Sequence, residues 1–120
     1  MKIAISAKGG KTSDLVDPRF GRCQYFQLYD TETKEIETVQ NIDAPTAESG
    51  AGVQTAELVA NQGAEVVITG HCGPKAYSAL QEEEIKIFSC SDSTVEQAIE
   101  QFNRGELAQL KTSTNEGHQL

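Results

Sequence analysis

Near its middle the chain reads AEVVITGHCGPKA, from Ala64 to Ala76. The β-branched run Val66–Ile68 is typical of a strand that is buried on both faces. Pro74 then falls where the first residue of a helix is expected, because its missing N–H would have had no intrahelical partner. The turn between them, Gly70–Gly73, leaves room for a ligand, and the free N–H groups of a helix start favour an anion. Because ligands of open α/β sheets bind beyond the carboxyl ends of the strands, this turn is the predicted working site.

Length and charge restrict the class of protein. The chain has 120 residues, 38% of them hydrophobic, and a net charge of −8, which predicts one soluble globular domain. An acidic chain is not expected to bind nucleic acid or an anionic membrane surface, whereas a local cluster of backbone N–H groups can still bind an anion. Three cysteines without a C-x-x-C pair indicate neither a disulfide framework nor a structural zinc site. We therefore expect a cytoplasmic protein with reduced thiols.

The remaining pattern predicts the element order β-β-β-α-β-α-β-α. Right-handed crossovers give a five-stranded mixed sheet of order 3-2-1-4-5 in which strand 2 is antiparallel. Strand 2 is expected from Cys23, and Ser93 with Glu96 fits a capping box at the start of the third helix. We predict a domain over residues 1–108 and a disordered tail over 109–120, where no periodicity is seen.

The predicted sheet places Cys23, Cys72 and Cys90 on the same rim. Cys72 is the preferred metal ligand, because a thiolate near a helix N-terminus has a lowered pKa and is a soft donor. The alternative is a small cysteine that packs the turn. For Cys23 and Cys90 packing is the favoured interpretation, since free cysteine is among the most buried residue types.

Imidazole and cationic side chains are predicted around the same turn. His71 could bind a metal or could be an ordinary surface residue, and the sequence favours neither. Arg19, Arg22 and Lys75 could neutralise an anionic cluster or an oxyanion such as molybdate. Ordinary surface charge is the alternative, and for Arg19 alone it is the better one.

Several short motifs together carry a resemblance to a known family. They are the start Lys2–Ile5, Phe20-Gly21-Arg22, Asn41 with Gly50-Ala51-Gly52, and Gly70–Ala76. Across residues 1–108 the chain resembles the nitrogenase iron–molybdenum cofactor biosynthesis family, small carrier or accessory domains for metal–sulfur clusters. The resemblance implies a three-layer, ribonuclease-H-like α/β fold.

The resemblance also implies a non-catalytic role in binding an iron–sulfur or molybdenum-containing cluster. Cofactor contacts are expected from Phe20, Gly21, Arg22, Gly50, Gly52, Gly70, Gly73 and Lys75, and metal ligation from Cys72, Cys23 and His71. Carriers of this family often have a histidine, thought to ligate the cofactor, directly before Phe-Gly. Arg19 stands there in this chain, so the resemblance supports the fold and the cleft more firmly than the ligand.

The resemblance and the residues together leave three hypotheses for the function. The first is a carrier that binds a metal–sulfur cluster and exchanges it with a donor or recipient protein. The second is a regulatory module that binds a small anion or nucleotide through helix N-termini and Arg22 without thiols. The third, ranked last, is a thiol enzyme with Cys72 as nucleophile and His71 as base, because adjacent side chains seldom point the same way.

Overall fold

The structure, a computed structural model, describes residues 1–41 and 51–114. The strands are β1 (Lys2–Ala7), β2 (Tyr25–Asp30), β3 (Ile36–Gln40), β4 (Ala64–Thr69), β5 (Lys86–Ser89) and β6 (Ala108–Gln109). The α-helices are α1 (Ala51–Asn61), α2 (Pro74–Glu82) and α3 (Val95–Asn103), and a 3-10 turn spans Phe20–Arg22.

The sheet has six strands in the order β3-β2-β1-β4-β5-β6. β1, β4 and β5 run parallel, and β2 pairs antiparallel with both β1 and β3, as predicted. The expected count of five strands is wrong, because β6 adds an antiparallel pair of residues at the far edge of β5. So short a strand carries no periodic pattern, and only its pairing with β5 reveals it.

Helices cover both faces of the sheet and give three layers. α1 and α2 pack on one face through residues such as Val59 and Leu80, against Ala4 and Val67 of the sheet. α3 packs on the other face, where Val95 and other residues meet the second set of strand side chains. The central strands are therefore buried on both sides, as their continuous apolar runs indicate.

The start of α3 corrects the predicted capping box by one residue. Thr94, not Ser93, is the N-cap: its hydroxyl accepts from the Gln97 N–H at 3.2 Å, and the Gln97 side chain accepts from the Thr94 N–H at 2.9 Å. Ser93 is buried, and its carbonyl accepts from the Val16 N–H at 2.9 Å. The long loop after β1 is thus tied to the start of α3.

Two expected boundaries also shift. Cys23 precedes β2 rather than starting it, since it lies directly after the 3-10 turn with its side chain in the core. The tail over 109–120 was expected to be disordered, but residues 109–114 contact the domain. Gln109 pairs in β6, and Leu110 donates its N–H to the Ile87 carbonyl at 2.8 Å and packs on the core. Residues 115–120 lie outside the described part.

Across residues 1–41 and 51–114, none of the helices is long and apolar enough to span a membrane.

Candidate functional site

The turn between β4 and α2 has the predicted form. β4 ends at the buried Thr69, and α2 starts at Pro74 with Gly73 as its N-cap. Gly73 has no side chain that could cap the helix, and the structure records no side-chain cap there. The backbone of this turn is therefore what a ligand beyond β4 would meet.

Neighbouring segments hold the turn on both sides. On one side the His71 N–H donates to the Pro18 carbonyl at 2.7 Å, and the Phe20 N–H donates to the His71 carbonyl at 3.3 Å. On the other side the Cys72 N–H donates to the Thr114 hydroxyl at 2.9 Å, and the Thr114 N–H donates to the Cys72 carbonyl at 2.6 Å. Part of the turn's hydrogen-bonding capacity is thus used within the chain.

Three of the predicted binding glycines allow close contacts between parts of the chain itself. A Cβ on Gly70 would stand 2.7 Å from the Cα of Pro18. A Cβ on Gly21 would stand 3.1 Å from the Cα of Gly52, and one on Gly52 would stand 2.9 Å from the Cβ of Ala76. Packing accounts for these glycines, and their contact with a ligand stays a prediction. Gly50 lies outside the described residues.

Phe20 is a core residue rather than an exposed contact. Its side chain is 1% exposed and meets the Phe26 ring edge to face, with ring centroids 5.6 Å apart. This aromatic pair fixes the 3-10 turn against the sheet. Arg22 ends the same 3-10 turn, so the buried Phe20 side chain anchors the turn that carries it.

The cysteine thiols lie in a different environment from the one expected. Burial raises the pKa of Cys72 to about 12, and burial followed by the charge of Asp17 raises the pKa of Cys23 to about 12. The expectation of a lowered pKa at Cys72 is wrong, because loss of water outweighs the field of the helix start. At about 1.4 kcal/mol per pH unit, forming this thiolate at pH 7 costs about 4 kcal/mol more than for an ordinary thiol.

Cys90 follows β5 as Cys72 follows β4, at the same edge of the sheet, but it packs on the opposite face from Cys23 and Cys72. Cys23 and Cys72 belong to the core under α1 and α2, whereas Cys90 belongs to the core under α3. The Cys90 N–H donates to the Thr69 carbonyl at 2.9 Å, so β5 and β4 are in register there. The thiols nevertheless separate, because Cys72 lies beyond the end of β4 and packs on the opposite face of the sheet.

The described residues contain no preformed metal centre. No group of three or more His, Cys, Asp or Glu side chains among residues 1–41 and 51–114 could hold a metal ion. His71 is half-buried, and its backbone forms the bridge to Arg19. Ligation by Cys72, Cys23 or His71 therefore stays a prediction.

A polar cavity of about 420 Å³ lies beside the Pro18–Arg22 segment. Its described lining residues are Lys8, Asp17, Arg19, Arg22 and Gln24. Among these described lining residues, three side chains are cationic and one is a carboxylate, on a chain whose net charge is −8. A cavity lined in this way attracts anions.

A buried carboxylate orients one of these cations. Asp17 accepts from Nε of Arg19 at Oδ1 and from a second guanidinium nitrogen at Oδ2, both at 3.2 Å. This two-point pair fixes the plane of the guanidinium group. The carboxylate side chain is 4% exposed, and that of Arg19 is 52% exposed, so the cation faces solvent.

The backbone of Asp17 is held in turn by the end of β1. The Ser6 hydroxyl donates to the Asp17 carbonyl at 2.6 Å and lies 2.8 Å from the Thr69 hydroxyl oxygen, and the Asp17 N–H donates to the Ser6 carbonyl at 2.8 Å. The sequence identified Arg19 and Arg22 as cations near the turn but missed Lys8 and Asp17. The sequence positions that could have indicated them are those of Lys8 directly after β1 and of Asp17 beside Pro18.

Lys75 is exposed on the first turn of α2 and is not among the described residues that line the cavity.

Comparison with known proteins places the chain in a family. The sequence model of the family named dinitrogenase iron-molybdenum cofactor matches residues 1–105. The chain belongs to this family. The family's name associates it with an iron–molybdenum cofactor.

Solved structures agree over nearly the whole chain. The apo form of the orange protein from Desulfovibrio gigas is 38% identical, with a TM-score of 0.92 over 95% of this chain and 96% of that one. A proposed NifB protein from Thermotoga is 34% identical, with a TM-score of 0.84 over 97% and 98% of the two chains. An uncharacterized protein from Methanocaldococcus jannaschii is 31% identical over 92% of each chain.

Proposed function

We propose that this protein is a non-catalytic carrier or accessory protein that binds an anionic metal–sulfur cluster, iron–sulfur or molybdenum-containing, in the basic cavity. The observation that carries the proposal is the concentration of Lys8, Arg19 and Arg22 around one cavity of an acidic protein. Membership of a family named for an iron–molybdenum cofactor supports the choice of ligand. A donor or recipient protein would exchange the cluster with it.

Charge is the favoured means of holding the cluster in the described conformation. Sulfide-bridged clusters with their metals already coordinated are anions, and such an anion needs cations and N–H donors more than additional ligands. Arg19 stands where carriers of this family often have a histidine, which agrees with contact by charge at that position. The buried thiols of Cys23 and Cys72 would add ligands only after a rearrangement.

The remaining assignments fit the same proposal. A mixed sheet covered by helices on both faces, with an antiparallel second strand, supports the ribonuclease-H-like assignment of the fold. All three cysteines are unpaired, which supports a cytoplasmic location. A thiol enzyme is disfavoured, because the proposed nucleophile Cys72 is 1% exposed and burial raises its pKa to about 12.

The test is anaerobic reconstitution with iron, sulfide and molybdate, followed by desalting, visible absorption and metal analysis. We expect stoichiometric metal and new visible bands in the wild-type protein. Arg22→Gln should lower the bound metal at least fivefold, whereas Arg104→Gln is the matched control, since Arg104 is an exposed cation at the far end of α3. Failure of the wild-type protein to retain metal, or equal loss in both variants, would contradict the proposal.

A regulatory module that binds a small anion or nucleotide is the second candidate. The fixed guanidinium of Arg19 beside Asp17 favours it, because oriented cations of this kind bind oxyanions without any metal. Calorimetric titration with molybdate, phosphate and a nucleotide, each without iron and sulfide, separates the two functions. Tight binding of a simple anion together with failed reconstitution would favour the module.

A further inference from the structure

The C-terminal segment of the described chain crosses the predicted site. After α3 the chain forms β6, which pairs Ala108 with Ser89 and Gln109 with Phe88 at the edge of β5. Leu110 donates its N–H to Ile87 at 2.8 Å and packs against the core under α1 and α2. We call this segment, residues 108–114, the strap.

The end of the strap is attached to the turn that carries Cys72. Thr114 makes two hydrogen bonds with the backbone of Cys72: its N–H donates to the carbonyl at 2.6 Å, and its hydroxyl accepts from the N–H at 2.9 Å. These bonds join residues that are 42 positions apart in the chain. Cys72 is 1% exposed and belongs to the core cluster on which Leu110 of the strap packs.

The attachment is local, and the residues before it are accessible. Lys111 and Thr112 are exposed, and Ser113 and Thr114 are half-buried. Strap release at Thr114 therefore breaks two hydrogen bonds without removing a large apolar side chain from the core. Leu110 and β6 can stay in place during this opening, so the opening is far smaller than unfolding of the domain.

We propose that the strap is a closing device that seals the Cys72 turn, and that its release exposes the Cys72 thiol to ligands from solution. The biological purpose of the strap rests on the proposed function. The closed form would hold a cluster by charge, and the open form would make Cys72 available as a ligand. The device itself is a property of the metal-free chain. Its test therefore needs no cluster.

The experiment measures the alkylation rate of each cysteine by N-ethylmaleimide, resolved by peptide mass spectrometry, in the full metal-free chain. Cys23 and Cys90 are internal standards, because both are buried in the same molecule and neither contacts the strap end in the described structure. Thr114→Val removes the hydroxyl acceptor, and Thr114→Pro removes both the acceptor and the N–H donor. Thr112→Val is the matched control at an exposed threonine of the strap.

With hydrogen bonds at their usual net strength, Thr114→Val should speed alkylation of Cys72 about fivefold and Thr114→Pro roughly 30-fold. The rates at Cys23 and Cys90 should not change, and Thr112→Val should behave as wild type. Equal acceleration at all three cysteines would show general destabilisation and overturn the proposal. An unchanged Cys72 rate in Thr114→Pro, or a wild-type Cys72 that reacts as fast as in urea, would overturn it too. Failed cluster reconstitution alongside selective labelling would refute the proposed function and leave the strap established.

Discussion

Gly70→Ala tests whether the segment before the 3-10 turn is packed directly against the turn after β4. An alanine Cβ at position 70 would lie 2.7 Å from both Cα and Cβ of Pro18 and 3.0 Å from its carbonyl oxygen. Non-bonded carbon atoms prefer a separation of about 3.5–4.0 Å. The two backbones must therefore move apart by about 1 Å or strain locally.

The cost follows from three contributions. Overpacking of a filled contact costs about 1–3 kcal/mol. The bonds from His71 N–H to Pro18 and from Phe20 N–H to His71 would lengthen, each with a net value of about 1 kcal/mol. The loss of freedom in the unfolded chain offsets about 0.4–1 kcal/mol. We expect the free energy of unfolding to fall by about 2–3 kcal/mol.

Urea unfolding followed by far-ultraviolet circular dichroism measures this change. Gly10→Ala is the matched control, because a Cβ at Gly10 would lie 3.5 Å from Cγ2 of Thr38, an ordinary contact distance. It should change the free energy of unfolding by less than about 0.5 kcal/mol. If Gly70→Ala were as mild as this control, the close contact between Gly70 and Pro18 would be wrong.

Two further predictions concern the buried thiols and their surroundings. Cys23 and Cys72 have folded-state pKa values of about 12, above the ordinary 9.0, so the unfolded chain loses these protons first as the pH rises. The contribution of each protonated thiol to the free energy of unfolding should be fully present below pH 9 and should fall between pH 9 and 12 by about 1.4 kcal/mol per pH unit. The urea midpoint of Cys72→Ala should fall less steeply with pH than that of the wild-type protein. An equal slope in the two proteins would contradict the pKa assigned to Cys72. Asn41→Ala should lower the free energy of unfolding by about 1–3 kcal/mol, because the buried Asn41 side chain donates to the Cys23 carbonyl at 2.9 Å and accepts from the Thr55 hydroxyl at 3.3 Å. Asn61→Ala, at an exposed helix end, is its control, and equal effects of the two substitutions would refute the account.

The order and direction of the five principal strands were predictable because their signals are local. Val66–Ile68 followed by glycines and Pro74 marks β4 and α2 unambiguously. The capping box was shifted by one residue because Ser93 with Glu96 and Thr94 with Gln97 both fit the same pattern. The Ser93 hydroxyl instead lies 3.4 Å from Oε1 of Gln101, and its carbonyl accepts from the Val16 N–H, contacts that the local pattern does not reveal.

The environment of the site could not be predicted in the same way. A helix start beside Cys72 favours its thiolate, and no local pattern reveals that the surrounding core removes water from that thiol. The cavity likewise depends on Lys8 and Asp17, which tertiary structure brings to Arg22 from the loop after β1. The sequence therefore favoured a thiolate site and the structure shows a basic cavity, because burial and long-range contacts cannot be read from residue types.

The most direct test of the central claim is the position of the metal in crystals of the reconstituted protein, measured by anomalous scattering. We expect an anomalous peak in the cavity among Lys8, Arg19 and Arg22, away from every sulfur atom of the chain. A peak within bonding distance of the Cys23 or Cys72 sulfur, with the basic cavity empty, would contradict binding by charge.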